Sequence, residues 1–311
     1  MTDPSPLQWH AEALWGQLVP LLPGLGIEVV PRVGSTNTAL LERARALPDT
    51  RSGGLDVLVH RSLESGAFGR RAVDLQPCLL IAEHQTAGRG RLGRQWQAAA
   101  GASLTFSISL PLTAPDWSGL SLAVGVALAE ALDASDPGAA GPHVGLKWPN
   151  DLWLIDGPIP HSAVNGRKLG GILIETVAAS GPGNPPGAAG RLVVVGIGLN
   201  VLPFDADAAR TGFASLSELD PHATSPDVLA RIALPLVVAL QRFEREGFAA
   251  FADRFRARDI LQGHRVHTTA GEAAQGIARG VTAEGALRVE TPAGIAAVSS
   301  GEVSVRFEPL E

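Results

Sequence analysis

The residues most suited to chemistry sit in a short glycine- and arginine-rich segment, AEHQTAGRGRLGRQW, residues 82–96. Glycines permit backbone conformations that aim N–H groups at an anion, and guanidinium forks bind phosphate or carboxylate in pairs. Arg89, Arg91 and Arg94 would repel one another when no anion is present, so the loop is expected to stay disordered until one arrives. GRGRLG also matches the dinucleotide fingerprint G-x-G-x-x-G. That fingerprint opens a helix directly after its strand, whereas here the glycines run on into the strand-like SLTFSISL, 103–110. A phosphate- or carboxylate-closing loop fits better than a Rossmann turn, with a solvated basic turn as the plain alternative.

Lysine is the second signal. Of 25 basic residues, 23 are arginine, and the two lysines are Lys147 and Lys168. An ammonium is a compact point charge and a guanidinium a wide planar fork, so positions that keep lysine merit a look, although codon bias explains the scarcity equally well. Lys147 lies in KWPND, where Asn150 and Asp151 offer an amide and a carboxylate at a strand exit. Such a pair suits a ribose, a base or a hydrated Mg²⁺, and equally an Asx-turn that caps its own backbone. Lys168 opens the strand KLGGILIET, where it could neutralise a carboxylate meeting a phosphate. Gly171 behind it, and Gly196 and Gly198 in VVVGIGLN, suit close approach by a flat ligand, or packing and a bulge. Asn200 ends that strand. GSTN, 34–37, places two hydroxyls and an amide at a helix start, which serves polar ligands or ordinary capping.

Other chemistries find little support. The eight histidines lack metal-ligand spacing, and one cysteine, Cys78, excludes an internal disulfide and a Cys-based zinc site. No G-x-S-x-G elbow occurs. A net charge of −6 is a poor prior for duplex binding, and no apolar run reaches the roughly 18 residues of a spanning helix.

These residues need elements to hold them. The spacing predicts helices over 8–22, from Ser35–Thr36 to Leu47, and over 117–133, with strands at 27–30, 78–85, 103–110, 144–148, 168–176 and 191–200. Residues 48–77 read as a variable loop with a weak strand at 56–59, and 156–166 and 179–190 as Gly/Pro-rich hairpin loops. Residues 224–262 read as helical, kinked or interrupted at Pro235. Beyond Gly263, short strands separated by turns suggest a small β-barrel. The expectation is an α+β domain, 1–262, with a mixed, largely antiparallel sheet, and a β module, 263–311.

GSTN, AE-x-Q-x-AGRGR-x-GR-x-W, KWPNDL, GRKLGGILIE and GIGLN occur in this order. On these motifs, over about residues 30–205, the chain resembles the biotin protein ligases, in a short form without the N-terminal DNA-binding domain. The resemblance implies a class II synthetase-like sheet with flanking helices and an SH3-like C-terminal barrel. It implies that biotin's carboxylate attacks the α-phosphate of ATP, with Mg²⁺, giving biotinyl-5′-AMP and pyrophosphate. A lysine of the biotin carboxyl carrier protein of acetyl-CoA carboxylase, or of a related carboxylase, then takes the biotinyl group. Carried over, Ser35, Thr36, Asn37 and Gln85 hold the biotin rings. Gly88, Arg89, Gly90 and Arg91 close over them, and Gly171 and Gly196 leave room. Lys168, with Arg89 and Arg91, acts at the reacting groups. Arg91, Arg94, Trp96, Asn150, Asp151, Lys168, Asn200 and Arg306 face the adenylate, and no residue is assigned to the metal. A lipoate or octanoate ligase or transferase is the rival, against which the GRGRLGRQW loop argues. About 30 residues precede GSTN, so repressor activity and DNA binding are not expected. The enzyme is expected to be cytoplasmic, off the membrane, and a monomer or homodimer.

Overall fold

The computed structural model describes residues 7–45, 76–159, 166–178, 191–204, 212–299 and 305–307. The strand expected at 56–59 and the segment 179–190 lie outside these residues, as does 160–165 of the loop expected at 156–166. The chain divides into two compact units, one of Met1–Thr113, Leu173–Phe204 and Ala223–Leu234, the other of Ala114–Ile172, Asp205–His222 and Pro235–Glu311.

The first unit holds α1 (Ala11–Leu18), β1 (Gly26–Val30), α2 (Thr36–Arg45), β2 (Cys78–Ala82), β3 (Ser103–Leu112), β7 (Arg191–Asn200) and the second half of β6 (Arg167–Ala178). Its strands run in the order β1-β2-β3-β7-β6, with β1 parallel to β2 and β2, β3 and β7 antiparallel. CLLIA is buried at every position, which is why it reads as an unbroken apolar run: both its faces are covered. Leu40 and Leu41 of α2 pack on Cys78 and Leu80 of β2 and Val194 of β7. Helix α1 is shorter than the expected 8–22.

β3 alternates hydroxyl and apolar side chains, and almost all of both sets are buried. Ser103, Thr105, Ser107 and Ser109 share one face by the period of two. Thr105 opposes Gly198 and Ser107 opposes Gly196, so the glycines of β7 lie on the hydroxyl face. A Cβ on Gly196 would fall 2.1 Å from Asn37 Oδ1, and one on Gly198 2.4 Å from the Trp96 ring. Only glycine leaves room for those two side chains.

The second unit holds α3 (Leu120–Leu132), β4 (Pro142–Lys147), β5 (Asp151–Asp156), the first half of β6 and α5 (Ala252–Arg258). Its strand order is β6-β5-β4, all antiparallel. β5 differs from the sequence expectation, which placed only a turn after Lys147. LWLI is buried on both faces and shows no alternation to read. Helix α4 (Ser225–Glu246), shared by both units, runs unbroken through Pro235. A proline inside a helix costs about 3 kcal/mol. Val228, Leu229, Ile232, Leu236, Val237, Leu240 and Phe243 are buried along α4, at roughly 1.5–3 kcal/mol per apolar side chain, and that offsets the loss.

The C-terminal strands, β8 (Arg265–Thr268), β9 (Gln275–Val281), β10 (Leu287–Thr291), β11 (Gly294–Val298) and β12 (Val305–Phe307), form one five-stranded sheet in the order β11-β10-β9-β8-β12. All its pairings are antiparallel. Among the described residues no helix is long and apolar enough to cross a membrane.

Candidate active site

In the first unit, the start of α2 meets the hydroxyl face of β3. Ser35, Thr36 and Asn37 are buried, and Ser107 is fully so. Gln85 Oε1 accepts a hydrogen bond from Thr36 N at 2.7 Å and lies 3.2 Å from Thr36 Oγ1. Ser107 Oγ lies 2.6 Å from both Thr36 Oγ1 and Asn37 Oδ1. It has one proton, and Asn37 Oδ1 cannot donate, so the arrangement that leaves no oxygen unpaired sends Ser107's proton to Asn37. Asn37 Nδ2 donates to Leu173 O at 3.2 Å and to Glu175 Oε2 at 3.0 Å. Asn37 is thus engaged within the protein at both ends of its amide. Ser107 and Glu175 were not singled out from sequence, although the hydroxyl alternation of β3 carried the signal for the first.

The glycine-arginine loop is folded as a short hairpin rather than an open coil. Trp96 N donates to Gly88 O at 2.9 Å, Gly90 N to Arg94 O at 2.7 Å, and Arg89 bridges to Gln95. At Gly88 a Cβ would fall 2.6 Å from Trp96 O, which explains the glycine there. Leu92 holds a left-handed φ of 57° at an exposed position, unusual for a non-glycine residue. Arg89 reaches back to Thr38 Oγ1 at 3.3 Å and Glu175 Oε1 at 3.4 Å. Arg94 is exposed and Arg91 half-buried. Asn200, at the end of β7 opposite Ser103, is buried.

In the second unit, β5 and β6 are in one register at Asp151↔Gly171 and Leu152↔Gly170 and in another at Trp153↔Lys168 and Leu154↔Arg167. One extra residue, Leu169, therefore forms a β-bulge. Without it Lys168 would oppose Leu154 and point to the other face, because side chains alternate along a strand. With it Lys168 shares a face with Trp153 and Asp151, and its Nζ reaches Asp151 Oδ1 at 2.7 Å. Lys147 directly opposes Asp151 from β4, so both lysines of the chain flank one carboxylate on one sheet face. Lys147 Nζ lies 4.7 Å from the Trp153 ring centroid and 5.7 Å from that of Phe307, within cation–π range. Gly171 opposes Asp151 and adds no side chain to this face. Asn150 Nδ2 donates to Ile172 O at 2.7 Å. Arg306 stands exposed on β12 opposite His267; its neighbour Phe307, through its ring, meets Lys147.

Two further groups of the second unit emerge only in three dimensions. Asp133, Ser135 and His143 come together, but not as a nucleophilic triad. Ser135 Oγ at 3.0 Å and Asp133 Oδ2 at 3.3 Å share the same imidazole nitrogen, Nδ1, while Nε2 faces Ala139 O at 3.0 Å. A triad needs nucleophile and carboxylate on opposite ring nitrogens. Burial pushes the Asp133 carboxyl up, but hydrogen bonds from Ser135, Arg258 and Val144 N outweigh it and hold the group below its ordinary range. Asp259 is fully buried, with Oδ1 accepting from Leu261 N at 2.9 Å and no partner for Oδ2. Burial pushes its carboxyl up to about 7.

A sequence profile of the biotin/lipoate A/B protein ligase family matches residues 75–200, and one of the biotin protein ligase C-terminal domain matches residues 263–306. The Biotin--[acetyl-CoA-carboxylase] ligase of Mycobacterium tuberculosis is 34% identical over 291 residues, covering 89% of this chain and 88% of that protein. The bifunctional ligase/repressor BirA of Escherichia coli is 31% identical over 307 residues, covering 97% of this chain and 80% of that one. The chain belongs to the biotin protein ligase family, and so to the ligase class of enzymes. Its fold is that of the Aquifex aeolicus biotin protein ligase solved with biotin and ATP, at a TM-score of 0.64 and 23% identity over 91% of this chain and 99% of that one.

Proposed function

We propose that the protein uses ATP to convert biotin into biotinyl-5′-AMP and passes the biotinyl group to one lysine of the biotin carboxyl carrier protein of acetyl-CoA carboxylase. The observation that carries this reading is the bulge that turns Lys168 onto the face of Asp151. A carboxylate attacking a phosphate brings two anions together, and a fixed ammonium lowers the cost of that approach. Asp151 holds Lys168 in place until the anions arrive. An oxygen of biotin's carboxylate bonds to the α-phosphorus, and the bond to pyrophosphate breaks. The carrier's lysine nitrogen then bonds to the acyl carbon, loses a proton, and AMP leaves. Residues 1–262 carry this chemistry and 263–311 form the accompanying β module.

In this reading Ser35, Thr36, Asn37, Gln85, Gly88, Gly90 and Gly196 shape the biotin-ring site, Asn37 through its fixed amide. Arg89 and Arg91 close the loop. Arg94, Trp96, Asn150, Asn200 and Arg306 serve the adenylate, and Gly171 keeps the sheet face clear. Magnesium enters with the nucleotide as substrate. Among the described residues no three His, Cys, Asp or Glu side chains gather to hold a metal, and Asp151 is already taken by Lys168, so no step is assigned to a protein-held ion.

The test is incubation with ATP, Mg²⁺, biotin and an apo carrier domain, followed by intact mass measurement of the carrier, with lipoate in a parallel arm. A biotinyl adduct on one carrier lysine is expected. An adduct with lipoate alone, or none with either acid, would overturn the reading.

A further inference from the structure

Glu175 has no part in the chemistry above, yet two structures depend on its carboxylate. Oε2 accepts from Asn37 Nδ2 at 3.0 Å, and Oε1 lies 3.4 Å from the Arg89 guanidinium. Asn37 continues through Ser107 to Thr36, and Thr36 to Gln85. Gln85 stands just before the glycine-arginine loop and Arg89 stands within it. Gln85, Thr36, Ser107, Asn37, Glu175 and Arg89 therefore form a chain, hydrogen-bonded as far as Glu175 and closed by the ion pair to Arg89, that starts just before the loop and ends four residues later within it. Its middle members are buried: Thr36 and Asn37 are 3% exposed and Ser107 0%, and the Asn37 amide fills the space that Gly196 leaves clear. Its last link is the exposed one, since the Arg89 side chain is 47% and that of Glu175 24% exposed. A ring with one solvent-facing link opens there first.

We propose that Glu175 is a positioning residue, the latch that holds the glycine-arginine loop shut through Arg89, and that it sets how long an acyl adenylate is retained. The retention half of this inference rests on the proposed function; the latch itself does not. An exposed ion pair is worth little, so the latch gates the loop without locking it.

The loop holds three arginines, and trypsin reads its opening directly. With no ligand present, Glu175→Gln, which can still accept from Asn37, is expected to be cut at Arg89, Arg91 or Arg94 about two- to five-fold faster than the unaltered chain. Combined with Arg89→Met, it should add nothing further to cutting at Arg91 and Arg94. Unchanged cutting, or additive effects in the double variant, would overturn the latch whatever the substrate proves to be. With biotin and ATP, Glu175→Gln should release adenylate faster, by a similar factor, while biotin-dependent pyrophosphate exchange and the melting temperature stay close to those of the unaltered chain. A slower exchange with unchanged retention would overturn the retention role. Faster cutting without any biotin-dependent exchange would leave the latch standing and remove the proposed function.

Discussion

Lys168 illustrates how much one side chain's chemistry depends on a single partner. Its ammonium donates to Asp151 at 2.7 Å, and a wide guanidinium at that position could not keep the same single-point geometry beside a reacting anion. Lys168→Arg and Lys168→Met are both expected to lower biotin-dependent pyrophosphate exchange by about 10²–10³-fold, the size of an oxyanion-donor deletion. A loss of less than tenfold in the arginine variant would contradict the need for a compact cation. Ser107 offers a second residue-scale test. Ser107→Ala leaves Asn37 Oδ1 buried without a donor, at a cost of about 1–3 kcal/mol, which urea denaturation would measure. Lys147 is held by aromatic rings on both the β5 and β12 sides, a role its motif alone did not suggest.

At the scale of elements, the β5–β6 bulge decides which face carries the lysine. Moving the lysine by one residue, with Lys168→Leu and Leu169→Lys together, places an ammonium at a position that is 0% exposed. Exchange is then expected to vanish and stability to fall by several kcal/mol, because an unpaired charge is buried. Exchange retained in that swap would show that the bulge is not the aiming device. The α3–β4 and α5 junction rests on another buried set: Arg258 donates to Asp133 Oδ2 at 2.9 Å and to the carbonyls of Asp133 and Val144 at 2.6 and 2.9 Å. Arg258→Met is expected to cost about 3–5 kcal/mol, since it strands the Asp133 carboxylate. Adding Asp133→Asn should recover part of that loss, as chemical denaturation of both variants would show.

For the whole molecule, the two perturbed aspartates act on stability in opposite senses. Asp133 is held below its ordinary value, so its contribution is present above about pH 4 and fades as pH falls through the native value. Asp259 is pushed from 3.8 up to about 7. The folded protein then holds a proton that the unfolded chain has already lost, so stability declines as pH rises from about 4 to about 7. That displacement caps the effect at roughly 4 kcal/mol. Asp259→Asn keeps the oxygen that accepts from Leu261 and never ionises. Melts at pH 5 and pH 8 should therefore differ less for this variant than for the unaltered chain, with the variant the more stable at pH 8. An equal pH dependence in the two proteins would show that Asp259 does not carry it.

The sequence by itself determined the family, the mixed and mostly antiparallel sheet, the C-terminal strands, and the stretches GSTN, GRGRLGRQW, KWPND, GRKLGG and GIGLN. The elements are written in neighbouring residues, as a turn glycine, a cap or an alternation, and local sterics suffice to read them; the family is read from the resemblance carried by the order of the five stretches. Tertiary structure alone decided the rest. β5 was illegible because burial on both faces erases alternation, and the continuity of α4 through Pro235 because packing outweighs one lost hydrogen bond. The facing of Lys168 depends on a one-residue register shift against a neighbouring strand, β5, whose paired residues lie 13 to 20 positions away. Asn37 turned inward because Ser107, Glu175 and the missing side chain of Gly196 surround its amide, from three strands it meets only after folding. Residue type announces what a group can donate or accept; pairing between distant strands decides to whom.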